Sequence, residues 1–246
     1  MKALILAGGK GSRLRHQPAA PPKPLLEVGG KKLMDFSLQN AANIGVSEVV
    51  VVVSYFTEGV INHYGPKYRD IPITYKIQND PKGVVHAIEC SAGALEGSDF
   101  MLMLADEILL GTDHRTMIDV FRTDDLFAIL GVVEVADRSQ ISKTYSVLQD
   151  SVSGQIHRLV EKPRRPHNDV MGTGHCVFKN AILSYIDACP INQARGEKEL
   201  PDLIQCAIDD GHLVKTHRVG AQYINVNALE DFRAAFALLE THARGF

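Results

Sequence analysis

Three glycines follow the first apolar run, in Leu6-Ala7-Gly8-Gly9-Lys10-Gly11-Ser12-Arg13-Leu14. Glycines at such a point let the backbone approach a ligand unobstructed, and N–H groups in a turn that feeds a helix suit phosphate oxygens. Arg13 adds a planar, permanently charged fork. The spacing is not Walker A, nor the dinucleotide-binding fingerprint, because Leu14 stands where a third glycine would be. The plain alternative is a tight turn with a solvated arginine. Lys23 lies between Pro22 and Pro24, which fix the loop and hold its ammonium; taken alone, it also reads as an exposed loop lysine. Asp106 ends the apolar run Phe100–Ala105, where a carboxylate is either solvent-exposed or a ligand of a cation shared with phosphate. Glu161-Lys162-Pro163 closes another run, as a positioned pair or as a surface ion pair.

These residues need elements to place them. Lys2–Ala7, Glu48–Ser54, Ile73–Gln78 and Phe100–Ala105 are β-rich or continuously apolar, as strands covered on both faces are. Leu33–Ile44, Val84–Ala94 and Arg115–Phe121 carry apolar residues at helical spacing between them. Alternating β and α units predict an α/β, Rossmann-like, mainly parallel sheet flanked by helices, with ligands at the carboxyl ends of its strands. The second half changes style. Leu126–Val135, Tyr145–Leu148, Gln155–Glu161 and Gly174–Phe178 follow closely, which predicts a smaller mixed or antiparallel β-rich insertion beside the parallel core. A helix over Leu200–Asp209, a strand near Leu213–Val219 and a helix over Leu229–Ala243 complete the pattern. One domain over residues 1–246 is expected: 1–125 mainly for nucleotide, 126–220 mainly for an acceptor, 221–246 a loop and closing helix.

Lys plus Arg total 26 against 29 Asp plus Glu, a net charge of −3, which lacks the basic excess of a nucleic-acid binder. Cys90, Cys176, Cys189 and Cys206 form no C-x-x-C pair and read as buried thiols. The first apolar run ends at Gly8, with Lys10, Arg13 and Arg15 where a signal peptide would be cleaved, and the run Val49–Val53 is far too short to span a bilayer. A cytoplasmic protein without membrane partners is the expectation.

The motif L-A-G-G-x-G-[ST]-R-L followed by P-K-P-[ML] resembles the opening of the sugar-nucleotide pyrophosphorylases, a nucleotidyltransferase family; both pieces stand intact as Leu6–Leu14 and Pro22–Leu25. Gln78-Asn79-Asp80-Pro81-Lys82-Gly83, Leu104-Ala105-Asp106-Glu107, Tyr145-Ser146-Val147 and Glu161-Lys162-Pro163 are similar to its later motifs, in order. The resemblance implies a glycosyltransferase-A-like fold and a reaction in which a nucleoside triphosphate and a sugar 1-phosphate give an NDP-sugar and pyrophosphate. UTP or dTTP is favoured, with CTP as an option. It implies that Leu6, Ala7, Gly8, Gly9, Gly11, Ser12, Arg13, Lys23, Gln78, Gly83 and Asp106 bind nucleotide. Tyr145, Ser146, Glu161, Lys162 and Gly174 are implied for the acceptor, with Arg13, Lys23 and Lys162 as the catalytic cations.

Mg2+, with Mn2+ or Co2+ as substitutes, is implied on Asp106 and a second ligand. Here the chain departs from the family. Tyr223-Ile224-Asn225-Val226-Asn227-Ala228-Leu229-Glu230-Asp231 offers Asn225 or Asn227 in place of a carboxylate, with Asn227 preferred because Glu230-Asp231 fits one form of the motif. Ser146 replaces a glycine, which puts a hydroxyl where sugar approaches backbone, and Pro201 replaces a threonine. His86 and His175 lie near these motifs and read as packed histidines. A non-sugar acceptor (phosphocholine, a cyclitol phosphate, a phosphonate) and a non-catalytic, pyrophosphorylase-like regulatory module remain as alternatives. The resemblance is compatible with a homo-oligomer. The chain ends soon after Asp231, and no acyltransferase or repeat domain is expected beyond it.

Overall fold

The computed structural model describes residues 1–9, 21–55 and 57–244. The elements run β1 (Lys2–Leu6), β2 (Glu27–Val28), β3 (Lys31–Lys32), α1 (Leu33–Asn43), β4 (Val49–Val53), α2 (Thr57–Tyr64), β5 (Lys67–Tyr68), β6 (Ile71–Ile77), α3 (Gly83–Leu95), β7 (Phe100–Leu104) and β8 (Glu107–Leu110). They continue as α4 (His114–Thr123), β9 (Ala128–Glu134), β10 (Tyr145–Gln149), β11 (Ile156–Glu161), β12 (Val170–Phe178), β13 (Ile191–Asn192) and β14 (Glu197–Lys198). The last are α5 (Leu200–Asp209), β15 (Val214–Arg218), β16 (Gln222–Asn225) and α6 (Leu229–Arg244).

The parallel centre is β7-β1-β4-β6. In β4 all five valines are buried, because helices cover both faces and no side of the strand meets water. The side-chain alternation of β1, β4 and β7 divides the core. Leu4, Val50, Val52 and Leu102 pack under α3 and α5, through Val85, Ile88, Leu203 and Ile204. Ala3, Ile5, Val51 and Met103 pack under α1 and α4, through Met34, Leu38, Met117 and Phe121. α6 docks separately, its Ala235 buried with Val28, Leu33, Phe36, Ile108 and Val226.

The antiparallel strands do not form a layer of their own. β12 pairs antiparallel with β7 and β9, and β10 with β12 and β11, so they prolong the same sheet from β7 outward. β12 begins at Val170 rather than Gly174, and its register against β9 shifts between Gly172 and Cys176. That irregularity turns the backbone at Thr173–His175 toward the strand ends, and it requires small residues. A Cβ on Gly172 would overlap the Tyr145 ring, and one on Gly174 would overlap Leu104.

Candidate active site

A cavity of about 600 Å³ opens where β1, β6 and β7 end. Leu6, Gly8 and Gly9 supply one wall, Gln78, Gly83, Val84 and Ala87 another, and Tyr145, Gly172 and Gly174 a third. Asp106 and Glu107, Glu161 and Lys162, Glu197 to Pro201 in part, and Asn225 and Asn227 complete it. Most of the sequence-derived residues therefore meet in one place. Gly11, Ser12 and Arg13 lie outside the described residues.

Two assignments need correcting. The Ala7 side chain is buried in the core, and its N–H donates to Val52. Ser146 is fully buried and its Oγ has no hydrogen-bond partner, so the hydroxyl does not meet an acceptor. The cause in β10 is strand alternation: Tyr145 turns its ring to the cavity, and the next side chain turns away. The four cysteines are also not uniform, since Cys90 and Cys206 are only half-buried.

Lys23 is not an exposed loop lysine. It begins a single 3₁₀ turn after Pro22, is only 7% exposed, and lies just behind the cavity wall. Its Nζ donates to Asp106 Oδ2 at 2.5 Å and to Asn227 Oδ1 at 2.8 Å. The antiparallel pair β8–β16 brings these distant residues together, with Asn225 opposite Glu107 and Val226 N–H donating to the Asp106 carbonyl. Asp231 accepts from the N–H groups of Asn227 and Ala228 and so fixes the loop. Asn227 Nδ2 donates to Asn225 Oδ1, which turns the Asn227 carbonyl toward Lys23 and leaves Asn225 as its support.

The donor set at this point fits a hard cation. Asp106 and Asn227 offer a carboxylate and an amide oxygen that already converge on one positive centre, the Lys23 ammonium. Among the described residues no group of three or more His, Cys, Asp or Glu is placed to hold a metal. A divalent ion here would thus take much of its coordination from phosphate and water.

On the other side, Lys162 has a left-handed φ of 42°, a conformation costly for a lysine, and its N–H donates to the Thr144 carbonyl at 2.7 Å. Its Nζ lies 3.1 Å from Glu161 Oε1. Arg195, between β13 and β14, ties Glu161 to Glu199. Sequence reasoning missed this hairpin and its Glu197, because two-residue strands carry no periodicity. It also passed over Glu107, whose place beside Asp106 was the available signal. Glu107 accepts from Gly174 N–H and from Tyr223 Oη at 2.6 Å, and burial pushes its carboxyl up to about 8.

Behind Glu107, His175 Nδ1 meets His114 Nε2 at 2.9 Å, and both rings are buried. Burial holds His114 down at about 4 and His175 well below the ordinary range. The unfolded chain therefore takes up protons near pH 6.5 that the fold refuses, and stability falls as pH drops. His114 alone accounts for about 2 kcal/mol lost between pH 6.5 and 5, roughly 4–8 °C in melting temperature. Glu107, whose carboxyl is raised, acts in the opposite sense and gains stability as pH falls from 8. Thermal unfolding of wild type and His114→Gln across pH 5–7.5 separates the two; a wild-type slope no steeper than the variant's would contradict the histidine assignment.

Gly-rich backbone, two lysines and a carboxylate–amide pair around one cavity define an enzyme that handles phosphates at the strand ends of an α/β sheet. The chain matches the nucleotidyl transferase family over residues 2–241, and it belongs to that family. It is a nucleotidyltransferase. It is 33% identical over 94% of its length, and 93% of the relative's, to UTP--glucose-1-phosphate uridylyltransferase AglF of Haloferax volcanii. It is 29% identical to a glucose-1-phosphate thymidylyltransferase of Streptomyces griseus, over 94% of this chain and 64% of that longer protein. The fold is shared with UDP-glucose pyrophosphorylase complexed with UDP-glucose (TM-score 0.86, 18% identity, 98% of each chain). It is shared too with UTP-bound UGPase from Acinetobacter baumannii (TM-score 0.82, 18% identity, 96% and 92%). No helix among the described residues is long and apolar enough to cross a membrane.

Proposed function

We propose that the protein condenses UTP or dTTP with a sugar 1-phosphate to give an NDP-sugar and pyrophosphate. The observation that carries this is the single cavity lined by Gly8 and Gly9 of the phosphate turn, by Gln78, and by the Glu161–Lys162 pair. The similarity to the uridylyl- and thymidylyltransferases supports the sugar phosphate and the pyrimidine base.

An acceptor phosphate oxygen attacks the α-phosphorus in line, and pyrophosphate leaves. The nucleophile is already anionic at pH 7, so no general base is needed. The barrier is charge: two like charges at 4 Å repel by about 4 kcal/mol at an effective dielectric near 20. Lys162 holds the acceptor phosphate and Lys23 faces the transferred phosphate, so that positioning and cationic charge offset the repulsion. Arg13 completes the cationic set on the leaving group. Glu161, held by Arg195 and Lys162, accepts from sugar hydroxyls. Asp106 and Asn227 would hold Mg2+, which supplies further neutralisation of phosphate charge when bound.

The test is pyrophosphate release with Mg2+ from UTP, dTTP, CTP, GTP and ATP against sugar 1-phosphates, phosphocholine and a cyclitol phosphate. Release confined to a pyrimidine imide nucleotide with a sugar 1-phosphate is expected. Release with phosphocholine or the cyclitol phosphate instead would overturn the acceptor assignment.

A further inference from the structure

Gln78 is only 4% exposed, ends β6, and lies on the cavity wall. Its amide is not free to turn. Nε2 donates to the Gly83 carbonyl at 3.1 Å and meets His86 Nδ1 at 2.8 Å, while Oε1 faces the Gly8 side. A flipped amide would set Oε1 against the Gly83 carbonyl, acceptor against acceptor. Gly83 thus fixes the sense of the amide, and His86 strengthens it. Because an amide nitrogen only donates, His86 Nδ1 must accept, and its Nε2 then carries the hydrogen toward Cys90 Sγ at 3.8 Å. Gly83, His86 and Cys90 fall on one face of α3, so the helix itself presents the clamp.

We propose that His86 is a positioning residue for base selection: with the Gly83 carbonyl it locks the Gln78 amide so that the cavity sees an acceptor and no donor. This rests on the pyrimidine nucleotide reading above. A base whose ring N3 faces Gln78 must then carry a hydrogen there. Uracil and thymine do. Cytosine meets Oε1 with a lone pair, and an unlocked amide could turn to donate to it. Discrimination between imide and cytosine bases therefore depends on a residue that itself lies outside the cavity lining.

The experiment measures dissociation constants for UTP and CTP by calorimetry, and kcat/KM for both, in wild type, His86→Ala, His86→Asn, Gln78→Met and the His86→Ala/Gln78→Met double variant. Wild type should prefer UTP, and His86→Ala should cut that preference by about tenfold, chiefly through CTP gaining affinity. His86→Asn, whose Oδ1 can stand near the place of Nδ1, should restore most of it. The double variant should discriminate no worse than Gln78→Met alone, because His86 acts through Gln78. An unchanged UTP/CTP ratio in His86→Ala, or a double variant whose losses simply add, would overturn the lock. Wild type binding CTP as tightly as UTP would instead overturn the base reading on which it rests. If His86→Ala does not fold, His86→Asn failing to keep the wild-type ratio overturns the proposal on its own.

Discussion

Lys23→Ala should lower kcat/KM by about 10²–10³ for nucleotide and acceptor alike, the range seen when one preorganised cationic or hydrogen-bonding group is removed from a reacting centre. Lys23 bridges Asp106 and Asn227, so its loss removes both a charge facing the phosphates and the clamp on two oxygen donors. A structural cost accompanies this. Removing one partner of a buried pair leaves the other unsatisfied, but the Asp106 side chain is 26% exposed and water can recover part of the loss. About 1–3 kcal/mol of stability should go, measured by denaturant unfolding. Steady-state rates within tenfold of wild type would remove Lys23 from the reaction.

Lys162→Ala should separate the two substrates. The KM for the sugar 1-phosphate should rise about 10–100-fold, the size of one lost charge-assisted contact, while nucleotide affinity measured by calorimetry stays within roughly twofold. The left-handed backbone at Lys162 is the structural reason to expect this. An L side chain held there is placed at a cost, and the Thr144 carbonyl and Glu161 hold it in place. Equal acceptor KM in variant and wild type would reject the role.

The parallel centre was legible because its strands are apolar on both faces. Val49–Val53 allows little else, and the helix Leu200–Asp209 has its expected bounds because Pro201 sits in its first turn, where no N–H is missed. That placement also accounts for proline at a position where the family has threonine. Elements of two to four residues were not legible: β8, β16 and the β13–β14 hairpin have no period to read, yet they carry Glu107, Asn225 and Glu197 to the cavity. Burial of Lys23 was invisible for a related reason, since its partners stand 83 and 204 residues away. His86 was read as simple packing, and only the distance to Gln78 shows otherwise.

The most direct test of the central claim follows the phosphate oxygens. A sugar 1-phosphate bearing ¹⁸O on its non-bridging positions is turned over with the nucleotide that releases pyrophosphate fastest, and both products are weighed by mass spectrometry. Attack by the acceptor on the α-phosphorus predicts that all label stays in the NDP-sugar, one per unlabelled pyrophosphate. Label in pyrophosphate, or pyrophosphate formed beside free nucleoside monophosphate, would contradict it.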